Sequence, residues 1–112
     1  ALQAPSSEDR EPPRWSAGGR LAASLKPGVV YLTWEKGEDN EGIYGYDVFR
    51  SEDGGSFQRI AATKIPSLFD QTATSDVKLA YYVQAYDFAG LRTQPSNVVE
   101  VSLPASWPEV GA

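Results

Sequence analysis

Any chemistry in this 112-residue sequence has to come from carboxylates, because it contains no histidine and no cysteine. Without those two residue types there is no Ser-His-Asp or Cys-His machinery and no ordinary zinc site. Glu38, Asp39 and Glu41 fall together in one polar stretch, residues 36–42. Paired carboxylates move protons only where a cleft perturbs one of their pKa values, and a loop tip on a small domain offers little shelter. A calcium ion would need about six to eight oxygen ligands, and the spacing does not follow the EF-hand pattern. The stretch therefore reads as a solvated acidic loop, with weak calcium binding as the alternative. Gly42, Gly45, Gly54 and Gly55 lie between extended segments instead of leading into a helix, so no phosphate cradle is expected. The sequence points to no catalytic residue, no metal and no cofactor, and to a chain that is not an enzyme.

Large aromatics are the remaining candidates, and where they point depends on the elements that carry them. With 41% hydrophobic and 12% aromatic residues the chain can form one real core, and its length suits a single domain. A net charge of −5 argues against nucleic acid, whose phosphates it would repel. There is no run of about 18 apolar residues, so no membrane insertion is expected. The sequence has no methionine and starts at Ala1, which suits either a processed mature chain or an excised domain.

Residues 1–20 hold three prolines, two glycines and balanced charge without any period, and residues 104–112 are similar in character. Both read as tails or linkers. Between them the pattern changes to short alternating segments. Residues 30–34 place Val30, Leu32 and Trp34 on one face, and residues 46–50 pair Tyr46 with Val48. Residues 79–87 put Leu79, Tyr81, Val83 and Ala85 on one face, and residues 98–103 do the same for Val99, Val101 and Leu103. Weaker strands are expected at 21–25, 57–61 and 68–70, with a hairpin turn through Gly54-Gly55. Seven short strands and no helical period predict an all-β, antiparallel β-sandwich over residues 21–103, with flexible termini.

These segments resemble the fibronectin type III family, an immunoglobulin-like fold, and in particular its bacterial extracellular members. The resemblance covers about residues 29–103. Val30-x-Leu32-x-Trp34 is similar to the family's second strand with its buried tryptophan. Gly45-Tyr46-x-Val48-Phe49-Arg50-Ser51 is similar to the third strand. Tyr81-x-Val83-x-Ala85-x-Asp87, then Ala89-Gly90 and Pro95-Ser96, resembles the sixth strand and its loop to the seventh. One position departs from the pattern. The family's corner tyrosine would fall at Leu79, and the leucine six residues earlier at Ala73, so the corner hydroxyl bond is absent unless Tyr81 or Tyr82 supplies it.

In that fold the third and sixth strands are neighbours. With Val48, Tyr81 and Val83 inward, Phe49, Tyr82 and Tyr86 form an outward aromatic stripe. Together with Trp15 and Trp107 in the two tails, these are the candidate partner-binding residues; each could instead be an ordinary packing residue. The resemblance implies a non-catalytic, extracellular or cell-surface module of a bacterial protein, binding a protein partner or neighbouring domain. One alternative is an accessory module of a polysaccharide-degrading enzyme, with the stripe stacking on sugar rings. Another is a subunit of a surface filament or pilus that needs a helix-bearing partner.

Overall fold

The computed structural model describes residues 11–39, 42–73 and 77–103. Seven strands appear where alternation placed them: β1 (Ala22–Lys26), β2 (Val29–Thr33), β3 (Ile43–Glu52), β4 (Gln58–Thr63), β5 (Ser67–Asp70), β6 (Lys78–Asp87) and β7 (Val99–Ser102). They form two antiparallel sheets, one ordered β1-β2-β5 and the other β4-β3-β6-β7. Alternation sends Val30, Leu32 and Trp34 from one side, and Tyr46, Val48, Leu79, Tyr81, Val83 and Ala85 from the other, into a shared core. Leu21 and Leu103 close its edges. Fully burying such side chains contributes about 1.5–3 kcal/mol each, and this interior is what fixes the register of every strand.

The departure at Leu79 has a structural counterpart. Leu79 is a core residue, and the buried Tyr81 hydroxyl donates to Asp70 Oδ2 at 2.6 Å. Asp70 ends β5 in one sheet, while Tyr81 and Arg50 belong to β6 and β3 in the other. Arg50 Nη1 donates to the same carboxylate at 2.8 Å, and Thr72 closes the group through its backbone N–H and hydroxyl at 3.0 and 2.7 Å. Tyr81 thus ties the sheets together through a carboxylate instead of through the backbone.

The described part of the first twenty residues differs from the tail expected there. Arg14 pairs with Glu38 by two backbone bonds of 2.8 and 2.9 Å. The Glu35 carboxylate accepts the N–H groups of Ser16, Ala17 and Gly19 and the Ser16 hydroxyl, at 2.7–3.0 Å for the shortest bond to each group. On the other side, Leu21 and Asn97 bond reciprocally at 2.7 and 2.9 Å. Gly19 packs so closely on Ser96 that a Cβ there would lie 2.4 Å from the serine Cβ, and its φ of 99° also favours glycine. Periodicity could not show this, because the segment is held by hydrogen bonds to loops and buries no alternating face.

Candidate functional site

The outer face of the four-stranded sheet carries the predicted stripe. Phe49 and Tyr82 are cross-strand partners whose rings stack with centroids 4.7 Å apart and planes 16° from parallel. Phe57, just before β4, meets the Tyr82 ring edge-on at 4.8 Å. Tyr86 lies four residues along β6, or about 13 Å at strand spacing. Its ring covers Gly45, where a Cβ would come within 2.8 Å of the tyrosine oxygen. The structure therefore puts Phe49, Tyr82 and Tyr86 on one face, all half-buried, but as two separate groups. The second group includes Tyr44, 5.8 Å from Tyr86, and Phe88, 5.0 Å from Tyr44.

Between the two groups lies Asp47, 1% exposed. Arg92 Nη2 approaches its carboxylate to 2.7 Å and Arg59 Nη1 to 3.4 Å. Arg92 also sits 5.2 Å above the Tyr86 ring, and the Lys64 ammonium lies 3.3 Å from the centroid of Tyr44. The face is a row of ion pairs flanked by two aromatic patches. Sequence reasoning missed Tyr44, Phe57 and Phe88, which are more exposed than the predicted residues. Phe88 follows β6, and Phe57 opens the segment expected at 57–61, whose Phe-Gln-Arg-Ile-Ala order does not alternate and so assigns it no face. Tyr44 adjoins an irregularity in the β3–β6 register between Ile43 and Gly45.

Trp15 belongs to a different surface. Its indole N–H donates to the Gln94 carbonyl oxygen at 2.7 Å, and its ring stacks on Tyr46 at 6.3 Å and 12°. Gln94 is placed by β6: the hydroxyls of Thr93 and Ser96 accept the N–H groups of Ala85 and Val83 at 3.1 and 2.9 Å. Those bonds continue pairing along the β6 edge while Gln94 and Pro95 face outward. Trp15 with Pro13, Pro95, Arg14, Arg92 and Gln94 lines a cleft of about 470 Å³. Trp107 lies outside the described residues.

Perturbed ionisation elsewhere has structural causes. Burial works against the charge on Asp70, but bonds from Tyr81, Thr72 and Arg50 outweigh it and hold the carboxyl below its ordinary range. Burial and the neighbouring Asp70 push the Tyr81 phenol far up, so it remains a donor. These groups satisfy one another between the sheets, and Asp70 is 3% exposed, leaving no room for a reacting molecule beside it. At Glu35 desolvation works against the charge, but the bonds from Ser16, Gly19 and Ala17 together outweigh it, and its carboxyl is also lowered. Of the loop acids, Glu38 faces Arg14 at 3.9 Å, and Glu41 lies outside the described residues. Among the described residues no group of three acidic, His or Cys side chains is arranged to hold a metal ion.

No family model matches the chain. Among solved structures, an Fn3-like protein from Clostridium thermocellum superposes with a TM-score of 0.61 at 24% identity, covering 84% of this chain and 93% of that one. The fold is that of a fibronectin type III domain. This fibronectin type III fold accounts for the adjacency of β3 and β6 on which the aromatic face depends. Two curated relatives are amylopullulanases. The one from Thermoanaerobacterium thermosulfurigenes is 40% identical over 74 residues, covering 64% of this chain and 4% of that protein. The one from Thermoanaerobacterium saccharolyticum is 39% identical over 82 residues, covering 68% and 6%. The chain thus spans a small fraction of the length of the curated relatives it matches.

Proposed function

We propose that this domain is a non-catalytic accessory module of a bacterial extracellular polysaccharide-degrading enzyme, and that its outer four-stranded face rests against a neighbouring domain of that enzyme. The observation that carries this reading is the 40% identity over 74 residues to an amylopullulanase of which the chain covers 4%. A small β-sandwich recurring inside a much longer enzyme is what an accessory module looks like in sequence.

The chemistry of the face supports a protein neighbour. Phe49 and Tyr82 stack on each other and Phe57 meets Tyr82 edge-on, so the rings form a compact apolar patch. The exposed rings of Phe57, Tyr44 and Phe88 flank a row of charge in which Asp47 is already paired. Aromatic anchors are enriched at the centres of protein interfaces. Because the rings stand on rigid strands, little ordering is lost on contact.

The test uses the catalytic domain encoded in the same reading frame or a neighbouring gene, titrated with the 112-residue chain. Tyr82→Ser combined with Tyr86→Ser should weaken association by about 2 kcal/mol, or roughly 30-fold, while leaving the melting temperature nearly unchanged. A folded double variant with full affinity would remove the face from consideration. A parent gene with no carbohydrate-active domain would overturn the module reading itself.

A further inference from the structure

The cleft beside Trp15 joins a fixed aromatic wall to polar groups in its lining. It is concave, with a volume of about 470 Å³, within the range of small-molecule sites. Its aromatic wall is preorganised. The Trp15 indole is held by its bond to Gln94 O, rests on Tyr46, and is backed by Gly19, where a Cβ would lie 3.5 Å from Trp15 Cε2. Pro13 and Pro95 contribute rigid apolar surface, and the side chains of Arg14, Arg92 and Gln94 supply polar groups at the lining.

We propose that this cleft is a subsite for a glycosyl unit of a neutral polysaccharide, with the apolar face of the pyranose ring lying on Trp15. The choice of a glucan as ligand rests on the accessory-module reading above; the geometry of the cleft does not. Charge decides between neutral and acidic ligands. Each guanidinium in the lining already faces a carboxylate, Arg92 with Asp47 at 2.7 Å and Arg14 with Glu38 at 3.9 Å. Arg92 shares Asp47 with Arg59, so its charge is only partly offset, but the chain's net charge of −5 disfavours an anionic ligand. The guanidinium and amide N–H groups remain able to donate to hydroxyls. A sugar ring matches this combination, with one flat apolar face and a polar perimeter. A fixed indole also loses no freedom when the ring settles on it.

The experiment titrates the 112-residue chain with maltohexaose and follows the Trp15 indole N–H signal by NMR, with an oligogalacturonate and a proline-rich peptide as competing probes. The expected result is a saturable shift of that signal with maltohexaose, little changed by salt because no ion pair forms. Trp15→Ala should weaken binding by about tenfold or more. Gln94→Ala, which keeps the backbone carbonyl that holds the indole, tests the cleft should Trp15→Ala fail to fold, and should weaken binding by several-fold. Phe69→Ser, at an exposed position on β5 of the three-stranded sheet, should bind as the unaltered chain does. No shift at tens of millimolar sugar, a shift that leaves Trp15 unmoved, or a preference for the acidic oligosaccharide or the peptide would each overturn the proposal. A chain that fails here but still associates with its catalytic domain leaves the module reading standing. A chain that binds maltohexaose but has no enzyme partner removes that reading and keeps the cleft.

Discussion

Two tryptophans meet Tyr46, and they are held in different ways. Trp34 follows β2 and meets the Tyr46 ring edge-on at 5.6 Å in the core, 6% exposed. Trp15 stacks on the same ring from the loop pole, half-buried, and is anchored by a hydrogen bond to a loop carbonyl. Burial between two sheets fixes the first. The second depends on a set of hydrogen bonds that bring residues 14–21 between Glu35 and Asn97. Strand packing leaves a ring nothing further to do. A hydrogen-bonded loop can hold a ring just as firmly and still leave part of it facing solvent, which is where a ligand can use it.

The largest effect should come from the interior. Trp34→Ala should cost about 3–5 kcal/mol by opening a cavity between the sheets, read as a fall in denaturation midpoint, whereas Trp34→Phe should cost far less. A folded alanine variant with an unchanged midpoint would break the contrast at its stronger end. Next is the pole. A chain starting at Leu21 loses Trp15 and the Glu35 bonds together and should be less stable by about 2 kcal/mol, the order expected for re-exposing a large half-buried side chain. If it melts with the full chain, the segment is a linker after all and the contrast fails. Between the sheets, Tyr81→Phe removes one donor from Asp70 but leaves Arg50 and Thr72 in place, so the expected loss is about 1–2 kcal/mol.

The smallest effect is on acid stability. Asp70 and Glu35 both have folded pKa values below their ordinary 3.8 and 4.5. A carboxylate whose folded pKa is depressed contributes stability in full above its unfolded pKa. That contribution is lost as pH falls through the lower, folded value. Stability should therefore be flat above about pH 5 and decline below about pH 4. Glu35→Gln should lower the neutral-pH plateau and flatten the upper part of that decline, because the contribution it removes is the one present above the unfolded pKa. A series of chemical denaturation curves would show both changes. An unchanged acid limb would mean that the Glu35 bonds contribute nothing measurable.

Much of the fold is legible in the sequence. Trp34, Tyr46, Val48, Tyr81 and Val83 all occupy the faces that alternation assigned to them, because a period of two leaves each side chain a single choice of side. The aromatic face was legible only in part. Phe49, Tyr82 and Tyr86 share it, but their division into two groups around Asp47 depends on Arg59 and Arg92. Arg59 reaches Asp47 from β4, and Arg92 from the loop after β6. Tyr44 and Phe88 lie outside the segments expected as strands, and Phe57 opens one, 57–61, whose apolar residues do not alternate. The sequence leaves Tyr81 and Tyr82 as alternatives in place of Leu79, and it carries no sign of Asp70 as the acceptor, since Tyr81 and Asp70 lie in different sheets.

Local sequence, by itself, determined the strands, their inward faces and the absence of Ser-His-Asp and Cys-His chemistry, because each follows from residue type and near-neighbour spacing. Tertiary structure alone decided that residues 14–21 clasp the loop pole, that Asp70 joins the sheets, and that Trp15 lines a cleft. Each of those depends on groups far apart in the chain, such as Trp15 with Gln94 and Leu21 with Asn97. The bonds that fix them are made by individual donors and acceptors, which leave no period in the sequence to read.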